Sequence, residues 1–104
     1  GYQHLKVRSA GLSFHGSLIR MGVLPSQETS TQGAVVVSRR VGSAVIRNKV
    51  KRRLREIFRK ELPGLLPGLW IVVTAKSPAA SASTEALHAE WLRLGKRLSI
   101  FTGS

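Results

Sequence analysis

One stretch constrains this chain more than any other: between Arg39 and Lys60 lie ten of its seventeen basic residues, with Glu56 as the only acid. The same stretch carries a helical apolar period. At about 100° per residue Ile46, Val50, Leu54, Ile57 and Glu61 share a narrow arc, so four apolar side chains are expected to face a core, with Phe58 at the margin. Gly42 permits a turn and Ser43 can cap the helix that follows, while Pro63-Gly64 stops it. The opposite side is almost purely cationic. Like charges at i, i+4 destabilise an isolated helix, so this one needs an apolar layer beneath it and an anion above it.

The rest of the chain supplies such a layer. Gly33-Ala34-Val35-Val36-Val37-Ser38 is a β-branched run too short for a helix and predicts a strand buried on both faces. Leu69-Trp70-Ile71-Val72-Val73-Thr74-Ala75 predicts a central strand. Leu12 to Leu24 reads as a strand ending at Pro25, Ser26 to Gly33 as loop, and residues 2 to 9 as a short helix. Ser83 or Thr84 caps a last helix in which Leu87, Trp91, Leu94 and Leu98 keep i, i+4, i+7, i+11 spacing. Trp70 and Trp91 are expected in the core, and Ser99 to Ser104 as a flexible tail. Strands interleaved with helices, in a chain of 104 residues with 42% apolar content, predict one domain of the α+β class with helices on one sheet. The chain opens at Gly1-Tyr2-Gln3 without an initiator Met, so part of the native N-terminus is expected to precede it.

Composition narrows the function. A net charge of +12 asks for a polyanion. No apolar run approaches the roughly 20 residues of a bilayer span and no secretory signal opens the chain, so membrane is not expected as a partner and a cytoplasmic location is. With no cysteine, disulfides, thiolate zinc sites and thiol catalysis are excluded. Five acids and three histidines offer no paired carboxylates, no metal-ligand spacing and no Ser-His-Asp set, so no catalytic or metal-binding residue is assigned.

The remaining candidate surface is the cationic ridge. Arg47, Lys51, Arg55 and Arg59 follow i+4 spacing with Asn48 and Arg52 alongside, and Arg39 and Arg40 extend the patch beyond the helix start. A solvated helix face normally alternates Glu with Lys; a basic run this pure points to nucleic-acid phosphates, which guanidinium groups grip in pairs of oxygens. Tyr2 and Phe14 lie outside the core pattern and are candidates for stacking on unpaired bases.

From Gly42 to Glu56, through Arg47-Asn48-Lys49 and Lys51-Arg52-Arg53-Leu54-Arg55-Glu56, the sequence resembles the signature of the bacterial ribonuclease P protein subunit. That family's motif is Arg-Asn-Arg, then a Lys-Arg pair and Arg-Glu; Lys49 replaces the second Arg of the triplet. Val37-Ser38-Arg39-Arg40-Val41-Gly42 is similar to the family's Ser-Lys-Lys-hydrophobic-Gly segment, and Pro67 to Ala75 to its fourth strand, so the likeness covers at least residues 34 to 98.

The resemblance implies a two-layer α-β sandwich like ribosomal protein S5 domain 2, with a left-handed βαβ crossover through the basic helix. It further implies an accessory subunit of an endoribonuclease, one protein per catalytic RNA. The RNA would remove the 5′ leader of precursor tRNA with Mg²⁺, while the protein positions the substrate. By resemblance Arg47, Asn48, Lys51, Arg52 and Arg55 meet the catalytic RNA, with Arg40 and Ser38 beside them. A cleft between the first helix and the sheet holds the leader, with Tyr2 in the place of a family Phe, Ser13 in a Gly-x-Ser-like segment and Phe14 nearby. Gly22 stands where many relatives carry an aromatic residue. Two other classes stay open at this point: a ribosomal protein burying the same helix in ribosomal RNA, and a DNA-binding domain reading base edges with Arg and Asn, although DNA is not the expected partner.

Overall fold

The structure, a computed structural model, describes residues 11–102. Four strands form one sheet in the order β1-β2-β4-β3, with β1 at Leu12–His15, β2 at Ile19–Pro25, β3 at Gln32–Val37 and β4 at Leu69–Ala75. β2 runs antiparallel to both β1 and β4, and β3 lies parallel to β4. Helix α1, Ala44–Glu61, is the crossover joining these two parallel strands, and α2, Thr84–Arg97, follows β4. Both helices cover the same sheet face, α1 on the β3 side and α2 on the β2 and β1 side. The result is the expected two-layer α+β sandwich.

The core lies between the layers. Alternation puts Ile19, Met21 and Val23 of β2 and Ile71, Val73 and Ala75 of β4 on the covered face, against Val50, Leu54 and Ile57 of α1 and Leu87, Trp91 and Leu94 of α2. Ser43 caps α1, its Oγ accepting from the Ile46 N–H at 3.4 Å. Gly42 takes φ +153°, which L side chains rarely adopt, and a Cβ there would press on Ile46 at 3.1 Å. Ser83 caps α2 through the Ala86 N–H.

Several expectations change. Leu12 to Leu24 is a β-hairpin, because Gly16 and Ser17 turn the chain between β1 and β2. β3 is an edge strand, and Val36 is 46% exposed, so it is not buried on both faces. Ile46 is 37% exposed, its side chain lying over Gly42 at the start of α1 and not in the core. Trp70 points to the uncovered sheet face and is half-buried, whereas Trp91 is fully buried. Residues 99–102 are not a tail: Ser99, at φ 58°, ends α2 in a left-handed turn, its N–H donating to Lys96 and that of Ile100 to Gly95. That turn sends Ile100 into the core and Phe101 edge-on to Trp91, with ring centroids 6.1 Å apart. The expected helix at residues 2 to 9 lies outside the described residues, as do 103 and 104.

One carboxylate fastens the two layers. Glu90 of α2 is buried and accepts the Leu18 and Ile19 N–H groups at 2.7 Å each, with Arg93 at 3.1 Å. A side chain at position 16 would run into this carboxylate, which is why glycine stands there. Burial pushes the Glu90 pKa up, but the two backbone N–H groups and Arg93 outweigh it and hold the group below its ordinary value. Its contribution is therefore complete above the ordinary carboxylate range and is lost as pH falls through the depressed folded-state value. Glu90→Gln is expected to cost about 2 kcal/mol near neutral pH. In urea titrations the gap from the parent should close on acidification, and a gap of constant size from about pH 7 to about pH 3 would contradict this role.

Candidate nucleic-acid interface

Because Val50, Leu54 and Ile57 are committed to the sheet, the helical period dictates where the α1 cations go. Asn48, Arg52, Arg55 and Arg59 are exposed on the side away from the core. Arg47 and Lys51 lie on the flank toward β3 and are half-buried, so the ridge expected from i+4 spacing divides into an outward row and a flank row. Arg47 Nε is enclosed and has no hydrogen-bond partner among the described residues. On the other flank Arg53 is tied down, its Nη1 donating to the Ala82 carbonyl at 3.1 Å.

The patch continues past the start of α1. Ser38, Arg39 and Arg40 are exposed on a 3-10 turn that Val41 anchors in the core, and Ser77 Oγ donates to the Arg40 carbonyl at 3.3 Å. Among the described residues the ion pairs are His88 with Glu61 and Arg93 with Glu90. No outward cation of α1 is therefore matched by a carboxylate. This field is assembled and left uncompensated.

The uncovered sheet face is a second surface. Ser13 pairs with Gly22, and with Arg20, Leu24, Val72 and Thr74 these residues line a shallow groove of about 250 Å³. Arg20, which sequence reasoning passed over, donates to Ser13 Oγ at 3.3 Å; the alternation Arg20, Gly22, Leu24 against Ile19, Met21, Val23 was the available signal. Phe14 does not join Ser13 in this groove. Adjacent strand residues point to opposite faces, so Phe14 packs on the helix side, its ring 4.3 Å beneath the Arg97 guanidinium. Tyr2 lies outside the described residues.

The family model for Ribonuclease P matches residues 2–99. This chain belongs to the ribonuclease P protein family. It is 31% identical to the ribonuclease P protein component of Roseiflexus castenholzii over 98% of this chain and 84% of that protein. Over 76 residues, 73% of this chain and 56% of the relative, it is 40% identical to the protein component of Chloroflexus aurantiacus. Among solved structures, the ribonuclease P protein of Thermotoga maritima superposes with a TM-score of 0.77 at 26% identity, covering 91% of this chain and 92% of that one. That of Staphylococcus aureus shares the fold, with a TM-score of 0.82 at 23% identity over 98% and 94% of the two chains.

The uncompensated ridge has a consequence for a ribonuclease P protein free of any partner. Salt screens like charges, with a Debye length of about 10 Å at 0.1 M. Thermal melts are expected to shift upward as NaCl is raised. Arg52→Ala should leave the low-salt midpoint unchanged or higher, while Arg53→Ala loses about 1 kcal/mol with its bond to Ala82. A lower midpoint for Arg52→Ala would mean that this cation has a stabilising partner within the chain.

Proposed function

We propose that this protein subunit uses the outward face of α1 to hold the catalytic RNA of ribonuclease P, leaving cleavage of the precursor tRNA 5′ leader to that RNA. The observation that carries this reading is the row Asn48, Arg52, Arg55 and Arg59, exposed beside Arg39 and Arg40 and paired with no acid among the described residues. Each phosphate it neutralises releases counterions, and Arg presents paired donors matched to phosphate oxygens. Arg47 and Lys51, on the flank, are placed to reach the same strand, and Ser38 lies at the edge of the patch.

The groove of Ser13, Arg20 and Gly22 on the uncovered sheet face is the surface this reading assigns to the single-stranded leader. With Phe14 turned to the other side, the contact there rests on polar groups and on the half-buried apolar residues Leu24 and Val72. The two surfaces lie on opposite sides of the sheet, so one protein touches enzyme RNA and substrate together. Mg²⁺ belongs with the RNA: Glu56 is the only acid on the outward side of α1, and no group of three or more His, Asp or Glu gathers among the described residues. The donor set of this outward face is cationic and does not fit a divalent ion.

Reconstitution with the cognate RNA tests this. Adding the protein is expected to raise precursor tRNA cleavage at low Mg²⁺, with none from the protein alone; RNA activity unchanged by the protein at every Mg²⁺ concentration would refute it. Arg52→Ala and Arg55→Ala should each weaken RNA binding and flatten its dependence on log salt by about 0.7–0.9 per lost phosphate contact.

A further inference from the structure

We infer that the groove between β3 and α1 receives an unstacked nucleobase of the RNA, an inference that rests on the reading of α1 as the RNA-binding helix. The groove encloses about 560 Å³. Gly33 and Val35 of the edge strand and Leu54 and Phe58 of the helix make an apolar lining, and Leu62 continues it one turn beyond Phe58. Arg55 and Arg59, one helical turn apart and both exposed, stand on its helix wall. No carboxylate lines it.

This pairing of an apolar trough with a cationic wall is not what a solvated helix face requires. It matches a nucleotide, which carries a flat apolar face and an anion within one residue. Unpaired RNA bases are commonly splayed onto aromatic side chains while guanidinium groups take the adjoining phosphates. Phe58 is pre-set for this. Gly33 has no side chain, and a Cβ there would lie 2.8 Å from the Phe58 ring, so the ring rests directly on the β3 backbone and is held in position. Among the described residues β3 pairs with β4 alone, which makes an extended peptide the competing occupant of the groove. A peptide would need acidic side chains in register with Arg55 and Arg59, whereas a nucleotide brings its charge at a fixed distance from its base.

The inference has a distinctive salt signature, because an apolar base contact releases no counterions. Phe58→Leu keeps an apolar side chain on the core but removes the aromatic face; Leu62→Trp fills the groove from an exposed position, 37% accessible. With the full chain and cognate ribonuclease P RNA, each variant, shown by circular dichroism to be folded, is expected to bind about tenfold more weakly, and Phe58→Leu, which leaves the groove open and its cationic wall in place, to keep the parent's salt slope. One unpaired nucleotide should gain reactivity at its base edge in chemical probing. If Phe58→Leu does not fold, Leu62→Trp alone decides the matter.

Parent-like affinity in the variants, with Arg52→Ala still flattening the salt slope, would overturn this inference and leave the proposed function standing. A flattened slope in Phe58→Leu would put backbone rather than base against this ring and overturn it too. Parent-like affinity in the variants with an unchanged slope in Arg52→Ala would remove both readings. A self-association of the parent chain abolished by Leu62→Trp, with RNA binding intact, would assign the groove to a peptide strand and equally overturn it.

Discussion

Everything in this molecule follows from the apolar seam that holds α1 to the sheet. A helix carrying so many cations on one side is a poor helix in isolation, since its neighbouring charges repel. Val50, Leu54 and Ile57 are each 3% exposed or less, part of the one core cluster that also holds the covered-face side chains of the sheet, and this burial offsets the repulsion. The seam also decides presentation. With those side chains fixed, the helical period leaves Asn48, Arg52, Arg55 and Arg59 no direction but outward.

The second layer contact serves a different end. Glu90 reaches from α2 into the hairpin between β1 and β2 and takes two backbone N–H groups that a turn at the sheet's edge would otherwise leave to water. At the far end of α2, the left-handed turn at Ser99 folds Ile100 and Phe101 back against Trp91. These devices hold the hairpin and the chain end, so the uncovered sheet face, with Ser13, Arg20 and Gly22, is a surface of defined shape.

Legibility in the sequence varied with how local the deciding physics was. The bounds of α1 were readable because Ser43 caps it and Pro63 stops it through bonds and clashes within a few residues. β4 was readable from its β-branched content, and the helix α2 from its leucine spacing. The hairpin was not, because Gly16 matters through Glu90, which is more than seventy residues away. The faces of Trp70 and Phe14 are illegible for a related reason: alternation says that neighbours face opposite ways, but which face meets the helices depends on where those helices pack. The chain end is not legible, because two apolar residues after a helix carry no period.

By itself the sequence determined the class of the protein and the chemistry of its partner. Charge concentrated on one apolar-backed helix requires a polyanion, and the spacing of Arg47, Asn48, Lys51, Arg52 and Arg55 carries the family likeness without reference to any fold. Tertiary structure alone decided which of those cations stand free. Arg52 and Arg59 face outward, Arg53 is spent on the Ala82 carbonyl, and Arg47 and Lys51 are drawn toward the edge strand. The groove between β3 and α1 likewise exists only once Gly33 and Phe58 meet. The physical reason is one of range: helical propensity, capping and charge density act within a turn or two of chain, whereas exposure and concavity are set by surfaces that distant segments bring together.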